Sequence, residues 1–228
     1  DLYIRGGGFD QTLLLVDGMK MDDAQTGHHT LNMILPLYLI ERIEVIKGPA
    51  ARIFGQNAFN GAINIVTKEF EGEKRTVNLN LNELSYGSFE QKNISLSTKI
   101  IGEKIKSLIS YSGNRSDGYR HNTDFKKNNY FIKTSFNSNN SPVDVIASFT
   151  ENKFGANGFY ASPSATEQYE ETQASLLGIT TTINSEKLSI TPRLYWRRGQ
   201  DEYIYIRDNP SVYRNLHKTN KVSAELSG

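Results

Sequence analysis

The sequence of 228 residues contains no cysteine. A disulfide framework and thiolate metal sites are therefore excluded. An excess of positive charge is also missing, because 26 Lys and Arg residues face 25 Asp and Glu residues and the net charge is +1. Phosphate backbones are bound by concentrated basic surfaces, so a nucleic-acid binder that depends on bulk charge is excluded as well.

Long apolar runs are absent too. No run approaches the ~20 residues that a membrane helix needs, and the mean hydropathy is −0.50. Such an average is usual in soluble proteins, but membrane β-barrels also give it because lipid-facing apolar residues alternate with polar ones. The N-terminus carries no secretory signal pattern, and residues 1–6 have the composition of a strand interior. We therefore expect the chain to begin within a longer protein.

The sequence also lacks the patterns of catalytic sites. Gly6, Gly7 and Gly8 do not have the spacing of a dinucleotide fingerprint, and residues 55–61 lack the Lys-Ser/Thr pair of a phosphate loop. No Ser/His/Asp or Cys/His arrangement stands out. These observations predict that the protein is not an enzyme and needs no cofactor.

Two features could bind a metal ion. His28 and His29 are adjacent, but neighbouring side chains diverge in an extended chain and no third ligand is near in sequence. Asp117 and Asp124 lie in a polar stretch and could bind calcium, which prefers oxygen ligands. A solvated loop is the simpler explanation of both acidic residues, so we predict no metal site.

The first 70 residues have a mixed pattern. Residues 13–16 form an apolar run that ends at the turn dipeptide Asp17-Gly18, and residues 40–46 and 62–67 have the pattern of strands. A short helix is predicted over residues 50–54, because Gly55 follows as a C-terminal stop. This region predicts a small α+β unit.

From about residue 76 the pattern changes to serial alternation of apolar and polar residues, with roughly eight predicted strands. Short turns at residues 102–104, 139–142 and 184–187 alternate with longer polar loops at 116–127, 154–171 and 207–214. Alternating short and long hairpins are typical of outer-membrane barrels. A soluble β-sandwich also alternates, so a soluble β-rich binding or adhesin domain stays an alternative. In a barrel, the outward-facing residues would be Val77, Leu79, Ile94, Leu96, Ile132, Phe136, Leu188 and Ile190.

Four segments of the first region, in this order and spacing, resemble the plug domain of TonB-dependent outer-membrane receptors. They are IRG (residues 4–6), LVDG (15–18), IERIEVIKGP (40–49) and GQNAFNGAINIVTK (55–68). The resemblance implies a mixed fold, with a small α+β plug followed by an antiparallel β-meander that forms part of a large transmembrane barrel of the 22-stranded type. Residues 1–70 would be the C-terminal part of the plug, and residues 71–228 the first strands of the barrel.

In such a fold the plug would lie in a polar lumen. We expect it to be held mainly by hydrogen bonds and charges, without a continuous apolar core. Arg5, Arg42 and Glu44 are the predicted charge contacts between plug and barrel. An ordinary surface ion pair is the alternative for Arg42 and Glu44.

The resemblance implies TonB-dependent uptake of a scarce nutrient across the outer membrane of a Gram-negative bacterium. The expected partners are the TonB complex, through a segment outside this chain, a small-molecule nutrient, outer-membrane lipid and a surface lipoprotein. Residues 23–29, Pro36 and residues 48–59 are most similar to receptors of the cobalamin branch of Bacteroidota. A corrinoid is therefore the expected substrate, and an iron chelate bound by a ferric-siderophore receptor is the alternative.

Candidate substrate-binding residues follow from this resemblance. They would lie on the outward apices of the plug and on the first outer loops, and a polar loop with no ligand role is the alternative for the plug segment. These residues are Gln25, Thr26, His28, His29, Asn57, Tyr119 and Tyr160.

The number of strands carries a further expectation. Eight strands close only a narrow barrel that its own side chains fill, so a plug of ~70 residues would require more strands. An open edge in lipid would leave backbone groups unpaired at several kcal/mol each. We therefore expect an unclosed sheet, and we expect that these residues alone neither insert into a membrane nor transport.

Overall fold

A computed structural model describes residues 2–23, 30–31, 35–49, 51–69, 75–137, 141–160 and 162–228. Two sheets account for its strands, one with four strands and the other with nine. Within these ranges, none of the helices has the length and apolar character to cross a bilayer.

The four-stranded sheet is mixed and has the order β2-β1-β4-β3. Its strands are β1 (Thr12–Val16), β2 (Met19–Lys20), β3 (Ile40–Lys47) and β4 (Gly61–Thr67), and the helix α1 (Ala51–Phe54) precedes β4. β1 runs parallel to β4, and β3 runs antiparallel to it. Every residue of β1 is buried, as its apolar composition requires. The predicted α+β unit is therefore present.

The turn between β1 and β2 shows why the dipeptide Asp17-Gly18 stands there. Both residues have positive φ angles, 47° and 79°. A two-residue hairpin turn of this kind matches the twist of its strands, and Asp-Gly is one of the pairs that tolerate it. Asp17 also accepts hydrogen bonds from the backbone N–H and the hydroxyl of Thr67, at 2.8 and 2.6 Å. The turn is thus fixed to the end of β4.

The nine-stranded sheet is an antiparallel meander in which each long strand pairs with the next. This confirms the predicted meander of about eight strands, since one of the nine has only two residues. The strands are β5 (Thr76–Tyr86), β6 (Lys92–Ile101), β7 (Ile105–Ser116), β8 (Phe125–Phe136), β9 (Val143–Gly155), β10 (Tyr169–Thr181), β11 (Ile183–Asn184), β12 (Ser189–Ile204) and β13 (Arg214–Ser227).

Apolar side chains of the meander lie on the face turned away from the small sheet, called here the outer face. Val77, Leu79 and Leu188 are more than half exposed there, and Ile132 and Phe136 more than 40% exposed. Leu96 and Ile190, also predicted to lie on this face, are partly buried. The registers align the outer-face residues into rows across the strands. One of them, the aromatic row, contains Leu81, Leu96, Tyr111, Tyr130 and Phe149.

A β-bulge in β5 keeps this pattern continuous. The register shifts between Leu81 and Glu83, so that Leu81 pairs with Leu96 and Leu84 pairs with Ile94. Without the extra residue Asn82, strict alternation would place Leu84 on the inner face. The bulge therefore returns an apolar residue to the outer face.

The expectation that plug and barrel share no apolar core is wrong. One buried cluster joins Leu14, Val16, Met19 and Ile65 of the small sheet to inner-face residues of the meander. Those inner-face residues are Leu108, Phe131, Ile146, Ala174, Leu176 and Tyr195. Tyr195 is only 1% exposed. The completely buried strand β1 needs apolar contact on both faces, and the meander supplies one of the two.

Replacing Ile179 with arginine tests whether the outer face lies in hydrocarbon. Ile179 is on the outer face of β10, about 13 Å along the strand from Ser175 in the aromatic row. We expect Ile179→Arg to lower the unfolding free energy of the intact protein in lipid vesicles by about 2–4 kcal/mol.

The matched control is Gln173→Arg on the same face of the same strand, beyond the aromatic row. It should cost less than about 1 kcal/mol, because the penalty falls toward the interface. Equal effects of the two substitutions would contradict a lipid-facing outer surface.

Candidate functional site

A buried ion pair joins the small sheet to the inner face of the meander. Arg197 of β12 donates from Nη1 to Oδ2 of Asp23 at 2.8 Å and to the backbone oxygen of Asp22 at 3.1 Å. The two side chains are only 2% and 4% exposed. Two charges removed from water in this way hold each other tightly, because removing one member of a buried ion pair is strongly destabilising.

A second pair lies next to the first. Lys221 of β13 donates from Nζ to both carboxylate oxygens of Asp22, at 2.5 and 2.6 Å. Asp22, Asp23, Arg197 and Lys221 are called the apex clamp here, because the two aspartates directly precede residues 24–29. The clamp fixes the start of the segment that carries most of the predicted ligand residues.

Two further polar contacts connect the sheets. Lys133 of β8 donates to the Thr67 hydroxyl at 2.9 Å and lies 3.4 Å from Asp17. Lys20 pairs with Glu225 of β13 at 2.9 Å, and the Tyr195 hydroxyl donates to the same carboxylate at 2.7 Å. The interface is therefore a mixture of apolar packing and discrete charged contacts.

The residues that the sequence singled out for plug–barrel contact have other neighbours. Arg42 pairs with Glu44 at 2.8 Å and Glu41 at 3.1 Å, and these side chains are 41–53% exposed. Hydrogen bonds from Asn64 and Arg42 lower the pKa of Glu44. Among the described residues, none of the ion pairs of Arg42 or Glu44 reaches the meander, and the guanidinium of Arg5 lies near Gly48. Their contact with a barrel wall stays a prediction.

The predicted ligand residues of the plug are only partly described. Gln25, Thr26, His28 and His29 lie outside the described residues. Asn57 has a φ of 68° and lines a small cavity together with Asp22, Asp23 and Thr30. It therefore lies beside both ends of the segment 24–29, as a residue of the same apex would.

Tyr119 and Tyr160 lie in different loops at one end of the meander. Tyr119 packs edge-on against Phe89 at 6.3 Å, and the Arg120 guanidinium lies 4.8 Å from its ring. Tyr160 contacts Tyr203 at 5.8 Å between ring centroids. Burial and, to a lesser extent, a hydrogen bond to Glu170 raise the pKa of the Tyr160 hydroxyl.

Polar side chains tie these loops together. Arg207 forms a two-pronged pair with Asp124, at 2.6 and 2.9 Å, and lies over the ring of Tyr169 at 4.3 Å. Asn122 donates to the backbone oxygens of Thr166 and Gln168. The loops after β7, β9 and β12 thus share one network. The Arg207 guanidinium contacts both carboxylate oxygens of Asp124, the atoms that would have to bind calcium. The described residues contain no cluster of side chains that could hold a metal ion.

Sequence reasoning missed the apex clamp and the loop network. Arg197 and Lys221 are inner-face positions of alternating strands and look like any other polar lumen residue. One signal could have identified Arg197. It lies on the same face of its strand as Tyr195 and Asp201, and all three residues are buried. The partners of Arg197 and Lys221, Asp22 and Asp23, are 174 to 199 residues away in sequence.

Removing one partner of the buried pair tests the apex clamp. We expect Arg197→Ala and Asp23→Ala each to destabilise the docked small sheet by about 3–5 kcal/mol, because each leaves a buried charge unpaired. The double substitution should cost clearly less than the sum. Native-state hydrogen exchange of residues 12–23 in the intact protein measures this.

The exposed pair Arg42 and Glu44 provides the control for this cycle. Their alanine variants should change the opening free energies derived from the same exchange rates by about 0–1 kcal/mol. Additive effects of Arg197→Ala and Asp23→Ala would show that the pair does not act as a unit.

The loop network should weaken in acid. Arg207 holds the pKa of Asp124 below its ordinary value. The stabilisation is therefore complete above the unfolded pKa of about 3.9 and disappears as the pH falls through the lower, folded value. Because the pair is about one-third exposed, we expect about 1 kcal/mol, or about fivefold faster loop exchange.

Asp124→Ala at neutral pH should reproduce the acid effect on exchange in residues 117–124, and Asp117→Ala should not. A network unaffected by either acid or Asp124→Ala would exclude this role of the pair.

Comparison with known proteins supplies the context for this geometry. Residues 1–62 match the family model described as TonB-dependent Receptor Plug Domain. A vitamin B12 transporter of Vibrio vulnificus (strain YJ016) is 34% identical over 123 residues, which are 53% of this chain and 19% of that protein. An iron-regulated outer membrane virulence protein of Vibrio cholerae serotype O1 (strain ATCC 39541 / Classical Ogawa 395 / O395) is 41% identical over 75 residues, 30% of this chain and 12% of that protein.

The fold has solved counterparts. The structure of the copper transporter OprC superposes with a TM-score of 0.73 at 14% identity, covering 95% of this chain and 35% of that one. This confirms the predicted arrangement of a plug and part of a barrel. The relatives are named as transporters and outer-membrane proteins, which confirms that the protein is not an enzyme and that it lies in the outer membrane. The chain spans about a fifth of the length of the vitamin B12 transporters that it matches. Residues 1–62 thus match the plug domain of TonB-dependent receptors, and the chain has the fold of a part of the copper transporter OprC.

Proposed function

We propose that the intact receptor imports cobalamin or a related corrinoid across the outer membrane. The similarity to vitamin B12 transporters over 123 residues carries the proposal. It extends beyond residues 1–62 that match the plug family, so it includes part of the meander as well. The comparison therefore favours a corrinoid over other nutrients that receptors of this family import.

The proposed division of the chain follows from the two sheets. Residues 1–70 form the plug and residues 71–228 the first strands of the barrel. β4 ends at Thr67 and β5 begins at Thr76, so the boundary falls between the four-stranded and nine-stranded sheets. The two are joined by the apex clamp and by the shared apolar cluster.

In this scheme substrate enters from the outer loops and binds the apices of the plug. The proposed contacts are Gln25, Thr26, His28 and His29 with Asn57, and Tyr119 and Tyr160 on the loops. The position of Asn57 beside Asp22, Asp23 and Thr30 supports the first group, because Asp23 and Thr30 flank residues 24–29 in the sequence. The aromatic contacts of Tyr160 and Tyr203 give the loops a rigid, apolar surface against which a large ring can pack.

Transport requires that a path open past the plug. We propose that the TonB complex, acting on a segment outside this chain, supplies the force, and that a surface lipoprotein cooperates from outside. A mixed interface suits this cycle, since discrete ion pairs separate and re-form at defined positions. Arg5, Arg42 and Glu44 would contact barrel strands beyond β13.

A ferric-siderophore receptor is the second candidate. The observation that favours it is the 41% identity to an iron-regulated outer membrane protein, which exceeds the 34% identity to the vitamin B12 transporter but covers fewer residues. The plug motifs are common to both kinds of receptor, so the shorter match distinguishes them less well.

Growth on a single nutrient separates the two candidates. A strain that lacks the gene should fail to grow in medium where growth depends on a low concentration of cobalamin. The same strain should grow normally when a ferric siderophore is the only source of iron. The reverse result would assign the receptor to siderophore uptake.

A combined substitution tests the plug apex. We expect Thr26→Ala, His28→Ala and His29→Ala together in the intact receptor to weaken cyanocobalamin binding at least about tenfold, the equivalent of one lost strong contact. Equilibrium binding to the purified receptor measures it. Heat-modifiable migration should be unchanged, since barrel assembly does not involve these residues.

The matched control is Lys68→Ala with Glu69→Ala, two exposed residues that directly follow β4, and it should leave the affinity unchanged. Unaltered binding by the triple variant would leave the segment 24–29 a polar loop without a ligand role.

A further inference from the structure

The outer face changes character along the strands of β5–β9. The row that contains Leu79, Ile109 and Ile132 lies on one side of the aromatic row, and only Leu84 and Ile94 continue the aliphatic surface on the other. Within the aromatic row, Tyr111 and Tyr130 lie 5.1 Å apart, and Tyr130 and Phe149 6.3 Å apart. Aromatic rows of this kind mark the boundary between hydrocarbon and headgroups. The surface beyond this row therefore faces the headgroup region.

Four cations stand side by side beyond the aromatic row. Lys92, Arg115, Lys126 and Lys153 occupy paired positions on the adjacent strands β6, β7, β8 and β9. They lie four residues past the aromatic row, about 13 Å along each strand. Like charges directly opposite each other destabilise a sheet, so this row requires compensation.

Carboxylates compensate the two ends of the row. Lys92 pairs with Glu90 at 2.7 Å, and Lys153 pairs with Glu171 at 3.0 Å and Glu151 at 3.5 Å. The two middle cations, Arg115 and Lys126, have no ion pair with any residue in the described ranges. Both are exposed. Glu90 attracts Arg115 from a longer distance than it does Lys92, and an anion from outside the chain would bind both middle cations directly.

A groove of about 670 Å³ lies directly below these cations, toward the membrane. Leu84, Ile94, Tyr111 and Gly113 contribute to it, and Arg115 and Lys126 line its cationic end. Gly113 makes room for the Tyr111 side chain, since a Cβ there would lie 2.6 Å from the Tyr111 hydroxyl. That hydroxyl donates to Asn128 at 3.1 Å, which holds the aromatic wall in place. The volume is in the range of small-molecule sites.

We propose that this groove binds a membrane lipid with a phosphorylated headgroup. The phosphate lies between Arg115 and Lys126, and an acyl chain follows the groove past Leu84, Ile94 and Tyr111. Guanidinium and ammonium groups are the usual protein ligands of phosphate. The combination of unpaired cations above an apolar floor, at the level where headgroups meet hydrocarbon, fits such an amphiphile. A purely polar anion would leave the apolar floor unused.

Native mass spectrometry of the intact, detergent-purified receptor tests the proposal with three probes. Dioleoylphosphatidic acid has both parts, dioleoylglycerol has the chains without phosphate, and glycerol phosphate has the phosphate without chains. We expect the first to bind at least about tenfold more tightly than either fragment. Equal binding of dioleoylglycerol would exclude the cationic row, and equal binding of glycerol phosphate would exclude the groove.

Two variants locate the site. Arg115→Gln with Lys126→Gln should weaken phosphatidic acid binding about tenfold, whereas Lys218→Gln, an exposed outer-face lysine on β13, should leave it unchanged. Gly113→Ala keeps the charge and displaces Tyr111, so it should weaken phosphatidic acid but not glycerol phosphate. Undiminished lipid binding by the Arg115/Lys126 variant, with unchanged heat-modifiable migration, would overturn the proposal. Cyanocobalamin binding by that variant should be normal, which separates this test from that of the proposed substrate.

Discussion

The buried pair of Arg197 and Asp23 joins elements that are 174 residues apart in sequence, and the position of the plug apex depends on it. A cation and a carboxylate buried to this degree are stable only while they are paired. The pair therefore has one acceptable arrangement, in which the residues before the segment 24–29 lie against β12. Lys221 and Asp22 repeat the arrangement on β13, and the small sheet is thereby placed in a defined orientation against the wall.

Apolar contact provides what the ion pairs do not. β1 is buried along its whole length, and it belongs to the same apolar cluster as Phe131 and Tyr195 on the inner face of the meander. Apolar packing stabilises without specifying direction, whereas ion pairs and hydrogen bonds fix direction and register. A plug held only by polar contacts would lack the stabilisation that apolar packing provides. A plug held only by apolar packing would be difficult to release.

The meander is ordered by two different environments. Its outer face runs from aliphatic through aromatic to cationic residues, which follows the depth profile of a bilayer and its headgroups. Its inner face instead follows the plug, with cations opposite the plug's acidic residues at Asp17, Asp22 and Asp23. The ion pair of Arg207 and Asp124, together with Asn122, links the loops after β7, β9 and β12 into one network. This network holds the aromatic residues of these loops in position.

The sequence alone determined the small α+β unit, the alternation of the strands and the hairpin at Asp17-Gly18, because each of these depends on local periodicity or on the backbone preferences of a few residues. The expectation of a plug and part of a barrel came from the resemblance of four segments to a known family. The sequence alone did not determine the bulge at Asn82, where one additional residue shifts the alternation. It also did not determine the surroundings of Phe131 and Tyr195, because two-residue periodicity places them on one face of the sheet without showing what covers that face. The partners of Asp22 and Asp23 were decided only by the tertiary structure, since alternation makes every inner-face cation equivalent. Only the docking of the plug distinguishes Arg197 and Lys221 from the other cations, because a charge selects its partner by distance in space and burial, and neither is encoded in spacing along the chain.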